Sequence, residues 1–371
     1  MHYTQIHFDR KLNIAFKKKL NHRVNQYFLD TNSSKKANAK MLVKTIFMIA
    51  LFLVPYALLY VETFSSSMFL FLGLWALMGL GKAGIGMNVM HDANHGAFSS
   101  NPKINRILGT SMDIIGGNTT VWKLQHNVLH HTYTNIDGFD EDIDGPPILR
   151  FSPNQAWKPI HRFQHILAWF VYPLMTLVKL IFTDIQQAFN YRASKLLSSN
   201  AQLIAVLAKI LAWRAFYIAY ILIIPMLLIP VAPWLILLGA LLMHFIAGFI
   251  LAVVFQAAHV MPDMAFPQPK AEGMMEHEWT IHQVLTTTDF APTNRFLSWC
   301  VGGLNFQVEH HLFPTICHVH YSELAKIVKQ TSEEFGVPYQ SKKSFRAAVI
   351  DHWRMLYFLG QRPEMQPIPL K

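Results

Sequence analysis

A helix that crosses a bilayer needs about 20 mostly apolar residues, and this sequence supplies four such stretches, at approximately Leu42–Val61, Met68–Met90, Ala212–Val231 and Trp234–Ala258. They come as two hairpins, joined by Glu62–Ser67 and by Pro230–Pro233, and neither link contains Lys or Arg. Composition agrees, with 52% of the 371 residues hydrophobic and only 15% charged, against roughly 25% charged in an ordinary soluble domain. A cytosolic globule, a disordered chain and a collagen are excluded. So is a disulfide scaffold, because Cys300 and Cys317 are the only cysteines, and they imply a reducing compartment or burial and no more. The expected fold is all-α, a polytopic membrane protein with four spans.

The formal charge is +10, but Lys and Arg lie outside the apolar runs, as they do beside a membrane, so nucleic-acid binding is not expected. Arg10, Lys11, Lys17, Lys18, Lys19, Arg23, Lys35, Lys36 and Lys40 make a long polar lead without the form of a secretory signal. The positive-inside rule puts both short links outside and the rest in the cytoplasm. A further apolar run, Ile166–Ile181, is broken by Pro173 and carries Lys179. If it crossed, the His-rich segments on either side of it would face opposite sides of the membrane, so it is expected to lie in the interface. The chain then reads as one membrane-embedded domain, 1–371, with a helical cytoplasmic cap from 1–41, 91–211 and 259–371.

Nineteen histidines are more than composition explains, and seven of them fall in three clusters. His91 and His95 are four apart and share a helical face. Asp92 beside His91 keeps a zinc hydrolase open, with that carboxylate as base. In the second cluster His126 and His130 share a face, while an α-helical period turns His131 about 100° away. The third, Gln307-Val-Glu309-His310-His311, follows a Gly302-Gly303 break. His259 closes the fourth run on the same side and is a further candidate ligand. His282, His318 and His320 have no paired partner of their own and are expected at the surface or behind the ligands.

Thiolate-free imidazole coordination suits Zn, Cu, Fe or Ni, so residue type does not choose the metal. Ligand number narrows it, since a catalytic zinc takes three protein ligands and these clusters offer donors for two metals. Paired hydrolytic metals recruit bridging carboxylates, and only Asp92 and Glu309 lie inside the clusters; two irons that activate O2 fit the donor set better. Axial haem ligands would be buried within the spans, where these clusters are not. The acidic run from Asp137 through Asp140, Glu141 and Asp142 to Asp144 does not complete an EF-hand and is expected to be a solvated loop, the alternatives being to orient the His ligands or to dock an electron carrier.

The three clusters, HDANH, HNVLHH and QVEHH, resemble the boxes of the integral-membrane fatty acid desaturases in kind and order. The likeness extends to Thr132-Tyr-Thr-Asn135, to Trp279-Thr-Ile-His282-Gln283 with Thr286-Thr-Thr-Asp289-Phe290, and to Gly302-Gly-Leu-Asn-Phe306 leading into Leu312-Phe-Pro314, which are similar to the front-end subgroup. The resemblance implies a diiron centre that uses O2 and two electrons to remove two hydrogens from an acyl chain. His91, His95, His126, His130, His131, His310 and His311 would be its catalytic ligands, with His259 and Gln307 as further metal residues. It also implies an acyl-CoA or acyl-lipid substrate, such as a linoleoyl chain desaturated at delta-6. The HPGG motif of a fused cytochrome b5 domain does not occur, so a separate donor, a ferredoxin or a cytochrome b5-like protein, is expected. So is a bacterial inner membrane with the site on the cytoplasmic side. A diiron hydroxylase or ketolase remains the nearest alternative, because the same ligands serve oxygen insertion.

Overall fold

The computed structural model describes residues 6–9, 13–270 and 272–363; Arg10 and Lys11 of the basic lead lie outside them. The chain divides into two compact units. One is built from Met1–Ala37, Leu124–Ala168 and Val253–Lys371, the other from Asn38–Lys123 and Trp169–Ala252. Among the described residues the fold is almost wholly helical, and its one sheet pairs Asp289–Phe290 with Ser341–Lys342 in parallel.

Among the described residues five helices, where the sequence suggested four spans, are long and apolar enough to cross a membrane: Ala39–Leu58, Met68–Asn94, Pro159–Ala193, Asn200–Leu228 and Pro233–His259. The additional one grows from the run Ile166–Ile181. Pro173 is accommodated in a single tight turn at Tyr172–Leu174, and the helix resumes beyond it. The helix expected from Ala212 begins at Asn200, where the Ser199 side chain accepts from Gln202 N at 3.2 Å. Its interior cations are neutralised, Lys209 lying 3.6 Å from Asp113 and Arg214 lying 3.7 Å from Asp184, so charge does not end it.

In the second unit, small residues bring helices together. A methyl group on Gly81 would sit 2.6 Å from the Phe52 backbone nitrogen, and one on Gly239 would sit 2.3 Å from the Trp75 ring. Such contacts replace the hydrophobic drive that helices lose in lipid. A polar cluster that sequence reading passed over lies between these helices: Lys82 Nζ is 3.1 Å from Tyr217 Oη and 3.3 Å from His244 Nδ1.

The first unit packs the amphipathic helix Ile14–Asp30 through Phe16, Leu20, Val24 and Phe28 onto Leu324 and Val328 of Tyr321–Glu334. Lys17 also pairs with buried Glu278 at 2.8 Å. Glu278 in turn caps Trp279–Thr286 by accepting from Thr280 N at 2.7 Å. This chain of contacts fixes the short helix that lies behind the histidines.

Candidate metal centre

The first unit gathers six of the expected histidine ligands together with Gln307. His126 and His130 lie in the stretch Lys123–His130, which winds as a π-helix, with His131 directly after it. A π turn bonds i to i+5 and rotates each residue by less than an α turn does. His131 therefore does not swing away as the α period suggested: its Nε2 is 3.3 Å from His126 Nε2. The same atom is 3.0 Å from His310 Nε2. His310 and His311 stand on Gln307–Leu312, entered through Gly302 and Gly303 at φ of +65° and +68°. Glycine is needed at such angles, and a methyl group on Gly303 would also lie 2.9 Å from His318 Cβ.

Potential ligand atoms of His130, His259 and His311 lie within 4.8 Å of one another, as do those of His131, His310 and His311. His259 ends the Pro233–His259 helix. A purely structural role, as an imidazole hydrogen-bonded to the backbone, accounts for only one of its nitrogens. Nδ1 is 3.4 Å from the Thr286 carbonyl, whereas Nε2 is buried without a hydrogen-bond partner among the described residues.

Each of two inward imidazoles is held from behind. His130 Nδ1 donates to Asp140 Oδ1 at 2.9 Å. Asp140 is fully buried, so this part of the acidic run is not the solvated loop expected from sequence. Its burial is offset by backbone N–H groups of Asn135 and Asp142, each 2.9 Å from a carboxylate oxygen. Asn135 reaches that position with a φ of +58°. Burial alone would depress the His130 imidazole, but the charges of Asp140 and Asp142 outweigh it and raise its pKa to about 9. With a cation at Nε2 the same carboxylate retains the Nδ1 proton and fixes the ring's orientation.

His311 Nδ1 donates to Gln283 Oε1 at 2.8 Å. Gln283 also sends Nε2 to the His131 carbonyl at 3.2 Å. The neighbouring His282, lowered to about 4 by burial, donates Nε2–H to the Thr134 carbonyl at 2.9 Å. It is thus buried and bonded to the backbone next to the histidine cluster, not at the surface. Glu309 turns elsewhere: Tyr339 Oη is 3.2 Å from its Oε1 and donates to Asp289 Oδ2 at 2.5 Å. Burial and the Asp289 charge push the Glu309 carboxyl well above the usual carboxylate range. Its engagement with Tyr339 beside Asp289 does not support a bridging role in a hydrolytic centre. Gln307 is buried with its Nε2 on the Leu304 carbonyl at 2.9 Å.

In the second unit the Met68–Asn94 helix passes through a π stretch at Ile85–Met90 before delivering His91 and His95. Their ring centroids are 4.8 Å apart, and both rings meet Trp122 edge to face at 5.7 and 5.6 Å. Asp92 is buried beside His91, its Oδ1 3.9 Å from Nδ1.

The donor set suits a metal. Three Nε2 lone pairs converging at 3.0 to 3.3 Å, with an orphaned His259 Nε2 nearby in the same unit, satisfy one another poorly through shared protons but serve cations well. A family model described as fatty acid desaturase matches residues 65–343. The chain belongs to the fatty acid desaturase family. It is similar to the sn-1 linoleoyl-lipid 6-desaturase of Arthrospira platensis, 38% identical over 355 residues, covering 96% of this chain and 95% of that one. A Synechocystis protein of the same description is 36% identical over 353 residues, covering 94% and 96%. The acyl-lipid (8-3)-desaturase of Physcomitrium patens is 33% identical over 341 residues, covering 91% of this chain and 70% of the relative. The desaturase is thus an oxidoreductase of lipid metabolism, and its apolar helices place it among membrane proteins.

Proposed function

We propose that this desaturase inserts a double bond on the carboxyl side of an existing one in a membrane glycerolipid acyl chain, at the delta-6 position of a linoleoyl group. The relatives that match it nearly end to end carry that description. The observation that carries the mechanism is the convergence of His126, His130, His131, His259, His310 and His311, with the rear nitrogens of His130 and His311 held by Asp140 and Gln283. The motif resemblance adds His91 and His95 to this ligand set. It also adds Gln307, whose Nε2 is committed to Leu304, leaving Oε1 as the only amide donor for a metal. Two irons held by these residues would supply the activation of O2. The protein's own contribution is positional: Asp140 and Gln283 hold imidazole N–H groups and orient their rings, and burial excludes water. Rigid placement of the acyl chain then decides which carbon loses hydrogen.

The proposed topology keeps four crossings, with Pro159–Ala193 lying along the cytoplasmic interface of a bacterial inner membrane. The break at Pro173 and the charge of Lys179 support this. Electrons come from a separate ferredoxin or cytochrome b5-like donor. The test is expression in a bacterium lacking polyunsaturated lipids, fed linoleate, with fatty acids profiled by mass spectrometry beside a His310→Ala control. A product lighter by two hydrogens, with its new bond at delta-6 and absent from the control, is expected. A product heavier by one oxygen would replace the reading with hydroxylation, and turnover without O2 would replace it with hydrolysis.

A further inference from the structure

The last helix, Phe345–Gly360, has two unlike faces. Ala348, His352, Met355, Leu356 and Leu359 are buried. Ile350, Trp353 and Tyr357, spaced along the opposite stripe, remain 39%, 41% and 48% exposed. The buried face is firmly attached, with His352 Nδ1 donating to the Val260 carbonyl at 2.9 Å. Lys342, just before the helix, pairs with Asp351 at 2.9 Å and with Asp263. The exposed stripe therefore belongs to a helix fixed in place and is not a fraying end.

The two exposed rings are stacked, 5.9 Å apart and 12° from parallel. His165 meets both edge to face, at 5.5 and 5.1 Å. His165 belongs to Pro159–Ala193, one of the helices apolar enough for a membrane. On that helix Ile160, Phe163 and Ile166 are 40%, 53% and 52% exposed. The aromatic stripe thus continues a surface that already has the composition of a lipid contact. Exposed cations rim it: Arg162, Lys343, Arg346 and Arg354. Trp and Tyr seat their apolar bodies and polar tips at head-group level, and flanking Arg and Lys are drawn to anionic lipid.

We propose that the Phe345–Gly360 helix is an interfacial anchor, its Ile350–Trp353–Tyr357 stripe seated in the head-group layer of an anionic bilayer. Phospholipid is favoured over a protein partner because the stripe is continuous with a candidate membrane helix and carries a cationic rim.

The test uses the full chain in phosphatidylglycerol nanodiscs, with Cys300→Ser and a nitroxide placed by Ile350→Cys or, as an aqueous control, by Lys329→Cys. Collision with O2 and with a water-soluble nickel chelate reports the surroundings of each label. The Ile350 label is expected to favour O2 over nickel several-fold more than the control, and Arg346→Glu with Arg354→Glu is expected to move it toward water. An Ile350 label as open to nickel as the control overturns the proposal. Shielding from both reagents with spin–spin broadening also overturns it, showing a second copy on this face.

Discussion

Two buried polar clusters can be set side by side, the histidines of the first unit and the Lys82–Tyr217–His244 group among the apolar helices of the second. Both bury titratable side chains, yet they use their atoms in opposite ways. In the second unit both ring nitrogens of His244 are occupied: Nε2 is 2.9 Å from Tyr217 Oη, and Nδ1 is 3.0 Å from Thr176 Oγ1 and 3.3 Å from Lys82 Nζ. In the first unit His259 has one nitrogen near a carbonyl and the other without a hydrogen bond. A closed network stabilises a fold, and a network left open on one side is prepared for a ligand. Burial does not separate the two classes; the number of ring nitrogens spent inside the fold does.

The largest test of this contrast removes a proposed ligand of the first unit. His311→Ala is expected to abolish desaturated product and lower bound iron per chain, measured by fatty-acid profiling and metal analysis; full iron occupancy would break the comparison. Next comes the support behind a ligand. Asp140→Asn leaves a weaker acceptor for His130 Nδ1 and should cost about 10–100-fold in iron affinity or turnover, read by chelator competition.

The closed network should respond in stability alone. His244→Ala removes a shared partner from Lys82 and Tyr217 while leaving their 3.1 Å contact, and is expected to cost about 1–3 kcal/mol, as under-satisfied buried polar groups do. Lys82→Met leaves the Tyr217–His244 bond in place and should cost much less. Thermal unfolding in detergent measures both, and turnover per folded molecule should be unchanged. A specific loss of turnover in Lys82→Met would give the second cluster a role in the reaction and erase the distinction.

Much of this was legible in the chain. The four apolar runs fall on observed helices, two of them overrunning the helix end by three residues, because hydropathy over a bilayer's width constrains a segment strongly. The boxes were legible as pairs, but the route by which His131 meets His126 was not. That route depends on a π turn at Lys123–His130, which a 3.6-residue period cannot express. Asp140 was hidden in an acidic run whose composition reads as solvated. Only the left-handed turn at Asn135 and the tertiary placement of His130 explain its burial. Lys82 and His244 were missed because a lone ionisable residue barely lowers the hydropathy of a long apolar window. The length of Pro159–Ala193 was missed for the reverse reason, since Pro173 and Lys179 divide a helix that the backbone continues.

His131 and His310 have Nε2 atoms 3.0 Å apart but are separated by 179 residues of chain. A ribosome releases the second box well before the third, so the growing polypeptide passes nearly half of its synthesis with the cluster incomplete. Under the proposed topology and metal centre, insertion of the first helices and assembly of the site are therefore separate events. A chain stopped before Gln307 would still carry every candidate membrane helix. It would lack His310 and His311, so an early termination is expected to give a protein without desaturase activity.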